Sequence, residues 1–434
     1  MRILLAHNSP YYPSFGGGDK SNRLLMAALA ARGHHVGVLA RVAEFGPDVH
    51  SRLAYDMEQR GIGVRSHSEE LQFTLEGVDV RVFTRGNSLR AWISARMQES
   101  HPEVILTSTD DPAHLMLGPA LQIDKARVIY LVRAIIALPF GPASSLPSSM
   151  RSAALHRTDG AVAVSEYVAQ YAREWDGLDT VHVPISLPDR SIFPELGRFD
   201  NCFVTMVNPC AGKGLVIFLA LARHFPEVRF AAVPTWGTTG ADMAAMCALP
   251  NITILQPTDN IDDILRETRV AVVPSLWAEA RSRIVLEAMA RAIPVLASNV
   301  GGMAEAMLGM DYVLPVTPVT RYRADVDELM VPVIDVPEQD PRPWIEALGH
   351  LLTDRAHYCD VSARSRAAAL AYAGSVTVAP FEAYLKDRLG LPRQRYHAPV
   401  HTRPTAAHPA HSLSPNKRRL LAARLKQRTK ADKE

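Results

Sequence analysis

The sequence predicts an α/β fold with two domains, each built on a parallel β-sheet. Three stretches support this prediction, at residues 3–40, 203–221 and 270–297, because each combines a short apolar run, a polar or glycine-rich loop and a helical apolar pattern. Short apolar runs bounded by turn residues are typical of strands buried on both faces of a parallel sheet. With 434 residues, the chain is long enough for two to three domains.

The first unit begins the N-terminal domain. Residues 3–6 are predicted as a strand, residues 16–18 are three glycines, and Asp19 is expected to cap a helix that ends before Gly33 and a second strand at 36–40. Glycines let the backbone approach a ligand closely, and a helix N-terminus favours an anion. The three glycines could therefore form either a plain turn or a ligand-binding loop. The spacing is not Gly-x-Gly-x-x-Gly, so it does not predict a nicotinamide site.

The rest of this domain continues the alternation of strands and loops. Further strands are predicted at residues 78–83, 104–107, 128–132 and 160–164. Asp110 and Asp111 follow the second of these, where they could face a cleft or cap a helix. Arg133 ends the third, and a guanidinium there could hold a phosphate or a carboxylate. Residues 134–150, rich in Pro, Ser and Gly, are expected to form a loop over the cleft.

The second domain repeats the arrangement. Its first strands are predicted at residues 203–207, 228–233 and 253–257. Lys213 lies in the loop between the first strand and a helix, where it could bind a phosphate or point into solvent. Trp236 follows the second strand and could stack on a base or sugar, or simply pack. Gln256 lies near the end of the third strand.

The stretch at 270–302 is the most informative in the chain. A buried strand at 270–273 leads into a loop that contains Glu279, and Glu287 is expected about two turns into the helix that follows. Ligands of open parallel sheets bind beyond the carboxyl ends of the strands, so Glu279 is placed to face a cleft. A carboxylate there can accept two hydroxyl groups of a sugar or ribose. The alternative is a loop acid and a helix-surface acid in solvent.

These residues resemble a known motif. Pro-Ser-Leu-Trp at 274–277, the Glu-x7-Glu spacing, Leu-Glu-Ala-Met at 286–289 and the glycine pair 301–302 resemble the donor site of glycosyltransferase family 4. Members of that family are retaining enzymes of the GT-B fold. The resemblance covers roughly residues 1–390 and implies two Rossmann-like domains facing each other across a cleft, with a C-terminal helix that crosses back to the first domain.

The resemblance also implies roles for individual residues. Glu279 would hold the donor sugar together with loop amides near Ser282, Glu287 would hold the ribose hydroxyls, and Lys213 would clamp the donor diphosphate. The residues assigned to the donor site are Gly16, Gly17, Asn208, Lys213, Gly214, Trp236, Gln256, Glu279, Arg281, Ser282, Arg283 and Glu287, and those assigned to catalysis are Glu279, Lys213 and Arg133.

Three positions depart from the pattern of that family. Asn208 stands where a second clamp cation, an arginine, is usual, and Arg133 or Arg281 could substitute for it. Arg133 itself stands where a histidine beside the reacting sugar is common, which leaves the acceptor class open. Ser282 replaces a frequent glycine.

Predicted boundaries follow from these units and from composition. The domains are expected at 1–185 and 201–372, with a proline-rich linker at 186–200, a crossover helix at 373–390 and a basic tail at 391–434. The tail carries 11 basic against 2 acidic residues, whereas the other 390 residues carry 36 against 43. Its segment 412–434, with a short predicted helix, is expected to dock on an assembly-line synthase or on an anionic membrane surface, or to remain in solvent.

The remaining composition narrows the class of protein. Four scattered cysteines without a Cys-x-x-Cys pair fit a reducing compartment, and no apolar run is long enough for a signal peptide or a membrane span, so a cytoplasmic location is expected. No Asp-x-Asp motif predicts a metal, no cofactor beyond the co-substrate is expected, and no nucleic-acid partner is predicted.

The residues, read with this resemblance, therefore imply a metal-independent, retaining glycosyltransferase. It would transfer a hexose-type unit from a nucleoside-diphosphate sugar, with UDP favoured, to a small-molecule acceptor, such as a natural product or a carrier-bound group of secondary metabolism. The alternatives are an accessory protein that binds sugar nucleotides without turnover, or another GT-B enzyme such as a nucleotide-sugar epimerase.

Overall fold

The N-terminal domain is built on a mainly parallel sheet. The computed structural model describes residues 1–14, 16–46, 48–184 and 193–392. The strands of the first sheet are β1 (Arg2–Ala6), β2 (His35–Arg41), β3 (Val64–Ser66), β4 (Glu70–Leu75), β5 (Val78–Phe83), β6 (Val104–Ser108), β7 (Arg127–Val132), β8 (Gly160–Ala163) and β9 (Thr180–His182). Their order is β3-β4-β5-β2-β1-β6-β7-β8-β9, and only the pairs β3–β4 and β4–β5 are antiparallel. This arrangement confirms the predicted α/β class.

Alternation along β1 shows why the sheet is buried on both faces. Ile3 and Leu5 pack into the core on one face, whereas Leu4 and Ala6 pack into the core on the other. The helices that cover these faces are α1 (Gly17–Ala31), α2 (Val49–Gln59), α3 (Leu89–Ser100), α4 (Leu117–Ala120), α5 (Ser149–Leu155) and α6 (Glu166–Asp176).

The helix α1 starts differently from the prediction. Gly16 is its N-cap and no side chain caps its first amides, so the expected cap at Asp19 is wrong. The Asp19 carboxylate accepts a hydrogen bond from Ser9 at 2.7 Å and lies 3.3 Å from His7 instead. A buried histidine therefore takes the carboxylate that would otherwise cap the helix.

The C-terminal domain contains the second sheet. Its strands are β10 (Phe203–Val207), β11 (Arg229–Val233), β12 (Ile252–Ile254), β13 (Thr268–Val273), β14 (Val295–Ser298) and β15 (Val313–Leu314). They are all parallel, in the order β12-β11-β10-β13-β14-β15. The helices are α7 (Leu215–His224), α8 (Gly240–Cys247), α9 (Asp262–Leu265), α10 (Arg283–Ala290), α11 (Met303–Ala306) and α12 (Arg342–Thr353). An antiparallel hairpin of β16 (Tyr322–Val326) and β17 (Pro332–Ile334) is inserted after β15.

Two helices end the described chain. Helix α13 (Arg355–Ser375) packs on α10 of the second domain, and α14 (Ala379–Gly390) returns to the first. Phe381 and Leu385 of α14 are buried in the core of the N-terminal sheet, and Glu382 pairs with Arg32. This geometry confirms the predicted crossing helix.

Two predicted segments lie largely outside the described residues. They are part of the linker, residues 185–192, and the basic tail beyond residue 392, which includes the predicted docking segment 412–434. Within the described ranges, no helix is both long and apolar enough to span a bilayer.

Candidate functional site

A cleft of about 290 Å³ lies between the two domains, at the carboxyl ends of both sets of strands. The first domain contributes the glycine loop, Lys20, Ser21 and Arg133, and the second contributes Lys213, Trp236 and the loop after β13. Its charged lining residues are Lys20, Arg133, Lys213, Asp259, Glu279, Arg281, Arg283 and Glu287.

Glu279 has one carboxylate oxygen fixed by three donors. Its Oε1 accepts hydrogen bonds from Lys213 Nζ at 2.5 Å, Ser275 Oγ at 2.7 Å and Trp277 Nε1 at 3.0 Å. Burial alone would raise the pKa of this carboxyl, but Lys213 and the two other donors lower it. The other oxygen, Oε2, accepts no hydrogen bond from the part of the chain that the structure describes. Glu279 is therefore an ionised carboxylate with one acceptor atom available to a ligand.

The glycine pair after β14 supports this loop. A Cβ on Gly301 would lie 2.3 Å from the Glu279 carbonyl oxygen, and Gly301 adopts a positive φ of 60°. Gly302 donates its backbone N–H to the same carbonyl at 2.8 Å. Only glycine permits this close approach, so the pair fixes the backbone that presents Glu279.

Trp277 contacts both Lys213 and Glu279. Its indole ring lies against Gly212, where a Cβ would come within 2.2 Å of Trp277 Cε3, and Lys213 Nζ lies 5.7 Å from the centre of the ring. The Trp236 ring lies parallel to that of Trp277, with centroids 6.2 Å apart, and is 47% exposed. Trp236 thus lies beside Trp277 and keeps part of its indole exposed at the cleft, and its stacking on a base or sugar stays a prediction.

Glu287 bridges the domains. Its Oε1 lies 3.1 Å from Arg283 Nη2 on the same helix and 3.3 Å from Lys20 Nζ of the first domain. Burial would raise the pKa of Glu287, whereas Arg283, Lys20 and Arg291 lower it. Helix α10 begins at Arg283, so Glu287 lies about one turn into the helix rather than the predicted two.

Arg133 extends from the end of β7 to the glycine loop. Its Nε donates to Asn22 Oδ1 at 2.9 Å, and its backbone N–H donates to Thr109 at 2.9 Å. Gly18 packs against Arg133, because a Cβ there would lie 3.4 Å from Arg133 Cβ. Burial, with the positive charge of Arg283, lowers the pKa of Arg133 to about 10.

The structure brings most of the assigned residues together. Those that line the cleft are Gly16, Gly17, Arg133, Asn208, Lys213, Trp236, Glu279, Arg281, Ser282, Arg283 and Glu287. Gln256 is exposed in the loop after β12, next to lining residues 257–259 rather than among them. Gly214 lies behind Lys213, where a Cβ would come within 1.9 Å of the Pro274 carbonyl oxygen.

Arg281 lines the cleft, and its guanidinium also contacts other parts of the chain. It lies 4.6 Å from the centre of the Tyr372 ring and donates to the Glu305 carbonyl at 3.2 Å. Glu305 in turn accepts the backbone N–H groups of Glu166 and Tyr167 at the start of α6, at 3.0 and 2.7 Å. Arg281 therefore belongs to a contact between the domains.

The two aspartates after β6 have different partners. Asp111 accepts the backbone N–H groups of residues 115–117, in the turn that leads into α4, although the N-cap residue of that helix is Met116. Asp110 lies 3.1 Å from the buried His7 ring and does not line the cleft.

Sequence reasoning missed several members of the site. Lys20, Ser21 and Asn22 follow the glycine loop. The sequence could have indicated them only through their place in the first turns of α1, next to a loop that could bind an anion. Ser275 and Trp277 belong to the quoted motif, but no pattern indicates that both donate to Glu279. Tyr322, in the inserted hairpin, lies close enough for Glu279 to contribute, after burial and Tyr171, to its raised pKa.

Comparisons with known proteins agree with this geometry. Residues 202–354 match the family model described as Glycosyl transferases group 1. No curated protein matches the chain.

Solved structures match over nearly the whole described chain. A sucrose-phosphate synthase from Thermosynechococcus elongatus is 17% identical, with a TM-score of 0.64 over 90% of this chain and 99% of that one. Anabaena HepE in complex with UDP and glucose is 15% identical, with a TM-score of 0.60 over 90% and 99%. Starch synthase IV of Arabidopsis thaliana bound to ADP and acarbose is 12% identical, with a TM-score of 0.59 over 89% and 99%. These likenesses show the GT-B fold, with two Rossmann-like domains.

Proposed function

We propose that the protein is a glycosyltransferase that moves a sugar from a nucleoside-diphosphate sugar to a small-molecule acceptor. One observation carries the proposal: Lys213, Glu279 and Glu287 share one cleft with the glycine loop of the opposite domain. The match of residues 202–354 to the group 1 glycosyl transferase model supports it.

The donor would bind mainly to the second domain. Lys213 lies where it can neutralise charge that develops on the leaving diphosphate, and the amides at the start of α1 face the same space. Glu279 Oε2 would accept a hydroxyl of the donor sugar, and Glu287 would hold the ribose. The Trp236 face would stack on the sugar or the base.

Transfer would proceed with retention at the anomeric carbon. The bond from that carbon to the leaving phosphate oxygen breaks, a bond to the acceptor oxygen forms on the same face, and the acceptor proton passes to the leaving phosphate. Glu279 suits the binding of substrate rather than nucleophilic attack, because Lys213, Ser275 and Trp277 fix one of its oxygens. Lys213 and helix amides would supply the electrostatic stabilisation without a metal.

A panel of sugar nucleotides tests the function. UDP-, GDP-, ADP- and TDP-sugars are compared by thermal shift, and the best binder is incubated with candidate acceptors. We expect one nucleotide series, with UDP tested first, to raise the unfolding temperature and to give free nucleoside diphosphate and a glycosylated acceptor by mass spectrometry. Binding without release of nucleoside diphosphate would indicate an accessory protein, and binding of none would refute the proposal.

A further inference from the structure

Asn208 is a neutral side chain in the second-domain wall of the cleft. Asn208 follows β10 with a φ of 57°, and its Oδ1 accepts the Gly237 backbone N–H at 3.0 Å. Asn208 is 5% exposed, and its Nδ2 has no hydrogen-bond partner among the residues that the structure describes. An amide donor with no partner at the cleft wall is available to a ligand acceptor, but it carries no charge.

A cation from the other domain lies across the same cleft. Arg133 has Asn22 as its side-chain partner, and no carboxylate of the described residues lies within ion-pair distance of its guanidinium. The other four cations among the described residues that line the cleft have carboxylate partners. Lys213 pairs with Glu279, Lys20 and Arg283 pair with Glu287, and Arg281 pairs with Glu305.

The surroundings of Arg133 favour an anion. The glycine loop contacts Arg133 through Gly18 and Arg283 through Gly17, so two guanidinium groups flank the start of α1. That helix has 15 residues and no capping side chain, so its first amides add partial positive charge. Burial and the positive charge of Arg283 lower the pKa of Arg133, whereas Asp110 raises it, so a bound anion would stabilise the protonated guanidinium.

We propose that Arg133 completes the diphosphate site from the first domain, opposite Lys213 and the neutral Asn208. The diphosphate of the donor then bridges Lys213 and Arg133 and links the two domains. This proposal rests on the proposed function and identifies Arg133 as the side chain that binds the donor diphosphate together with Lys213. Arg281 also lines the cleft but differs from Arg133 in that it has a carboxylate partner, Glu305, at 3.8 Å.

Calorimetric titration of the full chain tests the assignment. UDP, GDP, ADP and TDP are each compared with the corresponding monophosphate, in the wild type and in Arg133→Ala and Arg133→Lys. We expect Arg133→Ala to weaken the best diphosphate by about 10- to 100-fold, as for loss of hydrogen bonds to a charged group. The monophosphate should change by less than about 3-fold. Arg133→Lys should retain part of the diphosphate affinity, since it keeps the charge but not the planar fork.

The matched control lies at the opposite end of the same strand. Arg127 begins β7, is 9% exposed and pairs with Asp159 at 2.7 Å, away from the cleft. Arg127→Ala should leave both affinities unchanged, even where it lowers the unfolding temperature. A general structural defect in Arg133→Ala would weaken monophosphate and diphosphate equally.

The outcomes separate the two proposals. Selective loss of diphosphate affinity supports the assignment of Arg133. Unchanged diphosphate affinity, or an equal loss of both ligands, overturns it while the wild-type binding keeps the proposed function. A wild type that binds no nucleoside diphosphate overturns both.

Discussion

Replacement of Glu279 by glutamine tests how the site distinguishes a sugar nucleotide from its nucleotide alone. The substitution keeps the shape of the side chain but replaces one acceptor oxygen with an NH₂ group. Because Ser275, Trp277 and Lys213 all donate to one oxygen of the wild-type carboxylate, the amide oxygen of the variant should take that position. The NH₂ group then occupies the place of Oε2 and cannot accept a sugar hydroxyl.

The magnitude follows from the one hydrogen bond that is lost. A hydrogen bond from a hydroxyl to a charged acceptor contributes about 1.5–3 kcal/mol, so the sugar-dependent part of donor affinity should fall by about 10- to 100-fold. Affinity for the nucleoside diphosphate without the sugar should stay the same or increase. Lys213 loses its carboxylate partner in the variant, which leaves its positive charge for the phosphates.

The assay is a pair of titrations, one with the sugar nucleotide and one with the matching nucleoside diphosphate. Glu70→Gln is the matched control, because Glu70 is 3% exposed and accepts hydrogen bonds from Trp92 Nε1 at 2.6 Å and Arg96 Nε at 2.9 Å, away from the cleft. That variant should leave both affinities unchanged. If Glu279→Gln weakened the nucleotide and the sugar nucleotide by the same factor, Glu279 would not be the sugar-binding carboxylate.

Two further predictions concern packing and pH. Gly212→Ala should displace the Trp277 ring, since the added Cβ would lie 2.2 Å from it, and should lower turnover about 100-fold in steady-state kinetics. The control is Gly63→Ala, because a Cβ at Gly63 would meet open space. Equal effects of the two substitutions on turnover would refute the reasoning. For His7, burial alone would lower the pKa of the imidazole. The carboxylates of Asp110 and Asp19 outweigh burial and raise this pKa from 6.5 to about 10. The stabilisation is therefore complete below pH 6.5 and is lost as the pH rises towards 10, by at most about 1.4 kcal/mol per pH unit. Denaturant unfolding at several pH values should show this slope in the wild type and not in His7→Gln, and identical slopes would contradict it.

The sequence was sufficient to predict those strands that are buried on both faces, because such strands appear as short apolar runs. Strands β6 and β7 are buried along their whole length, so their apolar runs were recognisable. Strands β3 and β4 were missed, because residues 41–100 do not alternate regularly and both strands form an antiparallel edge with exposed positions. The hairpin of β16 and β17 was missed for a similar reason, since many of its residues are exposed or half-buried.

The candidate site was predictable within each domain and much less so across the cleft. The spacing of Glu279 and Glu287 indicated a shared site, because both belong to one strand–loop–helix unit. The contact of Glu287 with Lys20 joins residues far apart in the chain, and no local pattern encodes it. Arg281 lines the cleft as its position beside Glu279 suggested, but no local pattern indicated its ion pair with Glu305.

The pairing of charges links Asn208 and Arg133 across the cleft. Glu279 already has Lys213 as its cationic partner, and Glu287 has Arg283 and Lys20, so these acids do not neutralise Arg133. Asn208 is neutral, whereas Arg133 on the opposite wall is a cation. Under our proposal, a donor bound only to the second domain would lack the contact with Arg133, and its full affinity would require the first domain to be in contact. In that arrangement the distance between the domains becomes a determinant of donor affinity, and contacts such as Glu305 with the start of α6 contribute to binding without touching the ligand.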